Sequence, residues 1–299
     1  MEHNTMNKRS ISKRILYIVI SAFCFALMNL FISLSGELPF VQKSFFRNLI
    51  AFIAALFLLF RRKQRIEIYR GNIKDLLLRS IFGTVGISCN FYAVDRLFIA
   101  DASMLNKMSP FFAVIFSFFM LREKISLFQT IVVISAFAGS MLVVKPSVTN
   151  MDFLPGLIGL CGGICAGAAY TYVRKLGNGG TKGTVTVIFF SGFSCLVTLP
   201  FLLFDYHTMT LVQLGWLLLA GLAATGGQFA ITAAYCHAPA KEISVYDYSQ
   251  ILFSVFLGYV VFGQIPDWYS ILGYIIIISV AISMFLYNLA SKEPASVSG

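Results

Sequence analysis

At 299 residues the chain has the length of one or two soluble domains, yet 58% of it is apolar and only 12% is charged, with a mean hydropathy of +0.81. So few charges cannot enclose such a core in water, so lipid is the solvent for much of the surface, and disorder, nucleic-acid binding and a disulfide-stapled secreted domain are excluded. The formal charge of +10 then becomes a question of which side of a membrane the Lys and Arg occupy.

A basic tail, residues 1–14, carries Lys8, Arg9, Lys13 and Arg14. A transmembrane helix needs about 20 mostly apolar residues, and ten segments supply them: 15–34, 43–60, 76–94, 102–121, 127–144, 153–173, 185–204, 212–234, 243–262 and 269–289. The first is too long for a signal peptide and no small-residue cleavage site follows it, so it reads as a retained helix. The segments are continuously apolar rather than alternating, which argues for helices and against a barrel. In the tails and alternate connections, 17 Lys and Arg fall on one side, among them Arg61, Arg70, Arg122, Lys124, Lys175, Lys241 and Lys292. Three, Lys43, Arg96 and Lys145, fall on the other. The positive-inside rule then places both termini in the cytoplasm and the protein in the cytoplasmic membrane.

The chain repeats itself. Phe45, Phe46 and the run Phe57 to Phe60 recur as Phe189, Phe190 and the run Phe201 to Phe204, an offset of 144, while Leu76 to Leu78, Thr84, Gly86 and Ala93 recur at an offset of 141 as Leu217 to Leu219, Thr225, Gly227 and Ala234. Ser103 maps to Ser244 at the same offset. Five helices per half is an odd number, so the second half must run through the membrane inverted, as carriers with a central, alternately exposed site do. The expected fold is an all-α polytopic membrane protein of ten transmembrane helices in two inverted five-helix repeats, residues 15–146 and 152–289, with a cytoplasmic tail from 290 to 299.

The stretches FFRNLIAFIAALFLLF and LFIADASMLNKMSPFFAVIFSFFMLREKIS, with AFAGSMLVVKP after the latter, resemble the paired EamA domains of the drug/metabolite transporter superfamily, as does APAKEISVYDYSQILFSVFLGYVVFGQIPDWYSILG. The resemblance covers residues 14–289 and implies a substrate cavity between the halves. One departure is Gln264, where the family often has Glu; Glu123 keeps that feature in the first half, and the position belongs to a helix end.

Ionisable residues inside a span cost about 2.5–3.5 kcal/mol at the centre and usually face a cavity or a partner. Arg79 lies roughly 5 Å inside its span and Arg47 about 6 Å inside, shallow enough to snorkel as anchors or to face a polar site. Lys107 lies about 8 Å into span four, on one face with Ser103, Asn106 and Pro110, and reads as cavity lining where Pro110 frees the Asn106 carbonyl. The 141 offset maps this face to Ser244, Asp247 and Tyr248. Inversion puts Lys107 and Asp247 near opposite surfaces, roughly 16 Å apart along the axis, so they are expected to flank the site without a direct ion pair. Asn90 on the face of Arg79, Gln228 on the face of Thr225, Thr232 and Tyr235, and Tyr170 and Asn29 complete the expected substrate-binding set. The stripe Gly156, Gly159, Gly163 and Gly167 reads as helix packing, and Cys161 and Cys165 as buried small side chains.

No Walker loop, GxGxxG after a strand or HExxH occurs, so neither a cofactor, a metal nor an enzymatic reaction is expected. The expected function is secondary transport of a small organic solute by alternating access, with an amino acid or organic anion favoured by the three in-span cations. A proton or a counter-substrate is left open as the coupling partner. A cationic or nucleoside-like metabolite such as S-adenosylmethionine, recognised by Asp247 and the tyrosines, is the alternative within transport, beside a multidrug or metabolite exporter. A structural or enzymatic membrane subunit is the alternative outside it.

Overall fold

The computed structural model describes residues 2–61, 63, 68–121, 126–144, 153–237 and 246–290; Arg122, Glu123, Lys124, Lys145, Lys241, Ser244 and Lys292 lie outside the described residues. Within the described residues the chain is all-helical, without strands: α1 (Glu2–Leu34), α2 (Phe40–Arg61), α3 (Ile73–Val94), α4 (Ile99–Asn106), α5 (Ser109–Leu121), α6 (Leu127–Val144), α7 (Phe153–Asn178), α8 (Gly183–Phe204), α9 (Leu211–His237), α10 (Ser249–Phe262) and α11 (Trp268–Ala290). Seven described helical stretches are long and apolar enough to cross a membrane, the fourth being Ile99–Met120, and two further apolar helices are shorter.

Helix boundaries follow local chemistry. No Gly or Pro precedes Gly36, so α1 propagates outward from its apolar segment into the basic residues expected to form a tail. It stops where Gly36 takes φ +71°, a left-handed conformation that a side chain would strain, and Pro39 follows before α2. Gly263, φ +62°, ends α10 in the same way. Gln264 beside it accepts a hydrogen bond from the Ile99 amide at the start of α4 (3.2 Å), so its amide oxygen satisfies one of the free donors of that helix end. The expected fourth span is two helices: the ladder of i→i−4 bonds lapses at Met108, whose amide bonds to the Leu105 carbonyl instead, just before Pro110.

The packing is inside-out relative to a soluble protein. Phe60, Phe119, Leu203, Phe204 and Leu211 point outward, while Lys43, Arg47 and Lys107 are among the largest fully buried side chains. In lipid this is the lower-energy arrangement, since outward apolar side chains face hydrocarbon and inward polar ones find partners. Lys43, expected in an outer connection, is inside α2 and pairs with Asp95 at 2.6 Å. Helix pairing is unchanged when the halves are exchanged: α1 packs on α9 as α3 packs on α7, α10 packs on α1 as α4 and α5 pack on α7, and α2–α8, α6–α11 and α4–α10 pair across the middle.

The Gly stripe of α7 packs tightly, as expected. A Cβ on Gly163 would collide with the Leu105 carbonyl, and one on Gly167 would lie 2.6 Å from that of Ser109. The stripe therefore seats α7 against the break between α4 and α5. Cys161, two residues off this face, is exposed rather than buried.

Candidate functional site

A central cavity of about 60 Å³ is lined by residues from both halves. Arg47 from α2 and Arg79 from α3 dominate it. Because α2 begins at Phe40 and α3 at Ile73, each arginine lies about 9–11 Å along its helix, deeper than the expected spans placed it. Neither snorkels: both are buried, at 1% and 2% exposure. Phe190 of α8 lies against both, its ring centre 4.0 Å from the Arg79 guanidinium carbon and 5.7 Å from that of Arg47. Gly83 makes room, since a Cβ there would strike Arg79 Nη1 and come within 2.7 Å of Phe190.

The guanidinium groups are only partly satisfied. Arg47 Nη1 donates to Asn48 Oδ1 at 2.6 Å. Arg47 Nε, Arg79 Nε and Arg79 Nη1 are buried with no hydrogen-bond partner among the described residues. Each such donor costs free energy unless something binds it. Around them, Asn90 Nδ2 donates to Asn29 Oδ1 (3.1 Å), Asn29 Nδ2 to Ser103 Oγ (3.2 Å), and Ser103 shares a hydrogen with Ser254 (2.8 Å), so one chain of bonds ties α3, α1, α4 and α10 together. Gln228 Nε2 donates to Thr232 Oγ1. Tyr170 stacks on Tyr235 with ring centres 5.0 Å apart.

Of the expected site residues, Asn29, Arg47, Arg79, Asn90, Asn106, Tyr170 and Gln228 line this cavity. Lys107, Ser103, Asp247 and Tyr248 are also buried but do not line it; they lie where α10 meets α4 and the break after it. Here the expectation for Lys107 and Asp247 fails: Lys107 Nζ is 2.7 Å from Asp247 Oδ1, with the two side chains 2% and 0% exposed. The axial estimate assumed a span beginning at 102. α4 begins at Ile99, which sinks Lys107 to about 12 Å, and the flexible four-carbon stem of Lys spans the remaining distance. Tyr248 Oη donates to the Lys107 carbonyl at 2.9 Å, satisfying a backbone acceptor next to the helix break. Lys107 is therefore neutralised within the protein, and the cavity's charge is that of Arg47 and Arg79.

Among the lining residues outside the expected set are Phe190 and Gln250. Phe190 had only marked the repeat, and nothing in its neighbourhood separates it from the other 29 Phe. Gln250 was overlooked although it lies three residues beyond Asp247, hence near it on a helical face.

Against known proteins, the family model described as the EamA-like transporter family matches residues 12–145 and again 154–286. The pseudopaline exporter CntI of Pseudomonas aeruginosa is 29% identical over 273 residues, 90% of this chain and 95% of that one. A riboflavin transporter of Vibrio cholerae is 31% identical over 213 residues, 69% of each chain. Solute carrier family 35 member G1 of Mus musculus is 26% identical, covering 86% of this chain and 74% of that protein. A crystallised protein superposes with a TM-score of 0.69 at 15% identity, over 94% of this chain and 99% of its own, and so shares the fold.

Proposed function

The chain belongs to the EamA-like transporter family, and on that premise we propose that it carries a small organic anion across the cytoplasmic membrane by alternating access, with Arg47 and Arg79 as the anion-binding groups. It is a multi-pass membrane transporter of the metabolite-carrying kind, not an enzyme. The observation that carries the finer reading is the pair of buried guanidinium groups that line one cavity and keep N–H donors without partners. A carboxylate or phosphate would supply charge-assisted acceptors there, and a site inside a membrane gains most from such compensation.

The architecture of this proposal is ten spans in two inverted repeats, 15–146 and 152–289, with both termini cytoplasmic. The excess of Lys and Arg in alternate connections supports the orientation. The double family match and a helix pairing that survives exchange of the halves support the repeat. Inverted repeats meeting at a central site support alternating access, with a proton or a counter-substrate as the coupling partner. The names of the relatives, a pseudopaline exporter and a riboflavin transporter, support an organic solute. The cationic alternative requires Asp247 as a recognition group, and its charge is already balanced by Lys107.

A ligand that binds only the folded state raises apparent stability, by about 2.7 kcal/mol at a hundred times its Kd. A thermal-stability screen of the detergent-purified protein against organic acids, amino acids, polyamines and S-adenosylmethionine should therefore show shifts with acids. Shifts confined to the cations would contradict the proposal.

A further inference from the structure

Resting on that anion-carrier reading, we infer that the cavity selects a solute carrying two anionic groups and a hydroxyl, with Arg47 and Arg79 each taking one anionic group and Gln250 accepting the hydroxyl's hydrogen. Two observations determine the number of charges. First, Lys107 is cancelled by Asp247, whereas neither arginine makes an ion pair among the described residues, and three of their N–H groups are buried without acceptors. Second, both guanidinium carbons lie within 6 Å of the centre of the Phe190 ring, so they are close enough for one small molecule to meet both. A single carboxylate would leave one positive charge uncompensated at membrane depth; two bring the loaded cavity to neutrality.

The hydroxyl follows from the remaining acceptors. The Asn29 carbonyl oxygen already accepts from Asn90, the Gln228 bond to Thr232 engages its Nε2 as donor, and among the described lining residues the fully buried side-chain acceptor left without a donor is that of Gln250. Gln250, 2% exposed and on the cavity wall, keeps its Oε1 without a donor. A buried amide oxygen left unpaired discriminates strongly for a ligand that supplies a hydrogen and against one that does not. An ammonium would also donate, but its charge would undo the neutrality that two anionic groups achieve.

Three five-carbon acids test this with the full-length protein in detergent, each titrated by thermal stabilisation: valerate with one carboxylate, glutarate with two, and 2-hydroxyglutarate with two and a hydroxyl. Glutarate should bind about tenfold or more tighter than valerate, as expected for a second charge-assisted contact, and 2-hydroxyglutarate tighter again. Arg47→Gln and Arg79→Gln should each reduce glutarate to the affinity of valerate, and Gln250→Leu should remove only the gain from the hydroxyl. Equal affinity for valerate and glutarate in the unaltered protein overturns the two-anion inference and leaves the anion carrier standing. Stabilisation by none of the three acids overturns both.

Discussion

The buried cations among the described residues have two different fates. Lys43 and Lys107 are held by Asp95 at 2.6 Å and by Asp247 at 2.7 Å, while Arg47 and Arg79 line the cavity without an ion-pair partner. Removing one member of a buried pair strands the other charge, at a cost of about 3–5 kcal/mol, whereas replacing both by apolar residues of similar volume is often neutral. Asp247→Asn should therefore lower stability by about that amount, and Lys107→Met combined with Asp247→Leu should recover most of it, read by thermal or denaturant unfolding. A double variant no more stable than Asp247→Asn would contradict this. Arg79→Gln should behave differently, because it removes a charge that has no partner. The ligand-free protein should melt at or above the unaltered temperature while the stabilisation by acids disappears. A marked loss of ligand-free stability would assign Arg79 a structural role instead.

At the scale of elements, the break between α4 and α5 is the feature on which the site depends. It sets Asn106 on the cavity wall and Lys107 against Asp247, and α7 closes over it through Gly163 and Gly167. Gly163→Leu would drive a side chain into the Leu105 carbonyl, and overpacking of this kind costs about 1–3 kcal/mol. The same substitution at Gly215, where no atom lies within 4 Å of the added Cβ, should be nearly silent; equal destabilisation at both positions would argue against α7 as the clamp. The sequence carried a local sign of this break in Pro110 and the polar face of Ser103, Asn106 and Lys107, but that sign reads as a freed carbonyl within one continuous span over 102–121 rather than as two helices. It did not announce the ion pair, because helical periodicity reports which face a residue is on, whereas contact across two helices depends on where each begins and how far a Lys stem reaches. Phe190 was hidden for a related reason: its role under both guanidinium groups comes from the crossing of α2, α3 and α8, and a Phe in a lipid-facing helix has the same local signature.

Across the whole molecule, the halves have kept their packing and diverged in their chemistry. Arg47, Arg79 and Lys107 all lie in the first half, and the offsets of 144 and 141 map them to Ser191, Ala220 and Tyr248, while Asn106 maps to Asp247. The repeat and the buried polar faces were legible because lipid imposes simple rules on apolar length and on Lys and Arg in connections. The division of labour was not, since it rests on which cation found a partner. If both termini are cytoplasmic, a fluorescent protein fused to the C-terminus should mature and a phosphatase that needs export should stay inactive there; an active phosphatase would reverse the orientation. The anion-carrier claim itself is tested most directly by flux. In liposomes containing only the purified protein, labelled glutarate should enter at a rate well above protein-free vesicles, and Arg79→Gln, losing a charge-assisted contact, should cut that rate about tenfold or more. Entry of a polyamine but not of glutarate, or glutarate flux unchanged by Arg79→Gln, would contradict the account.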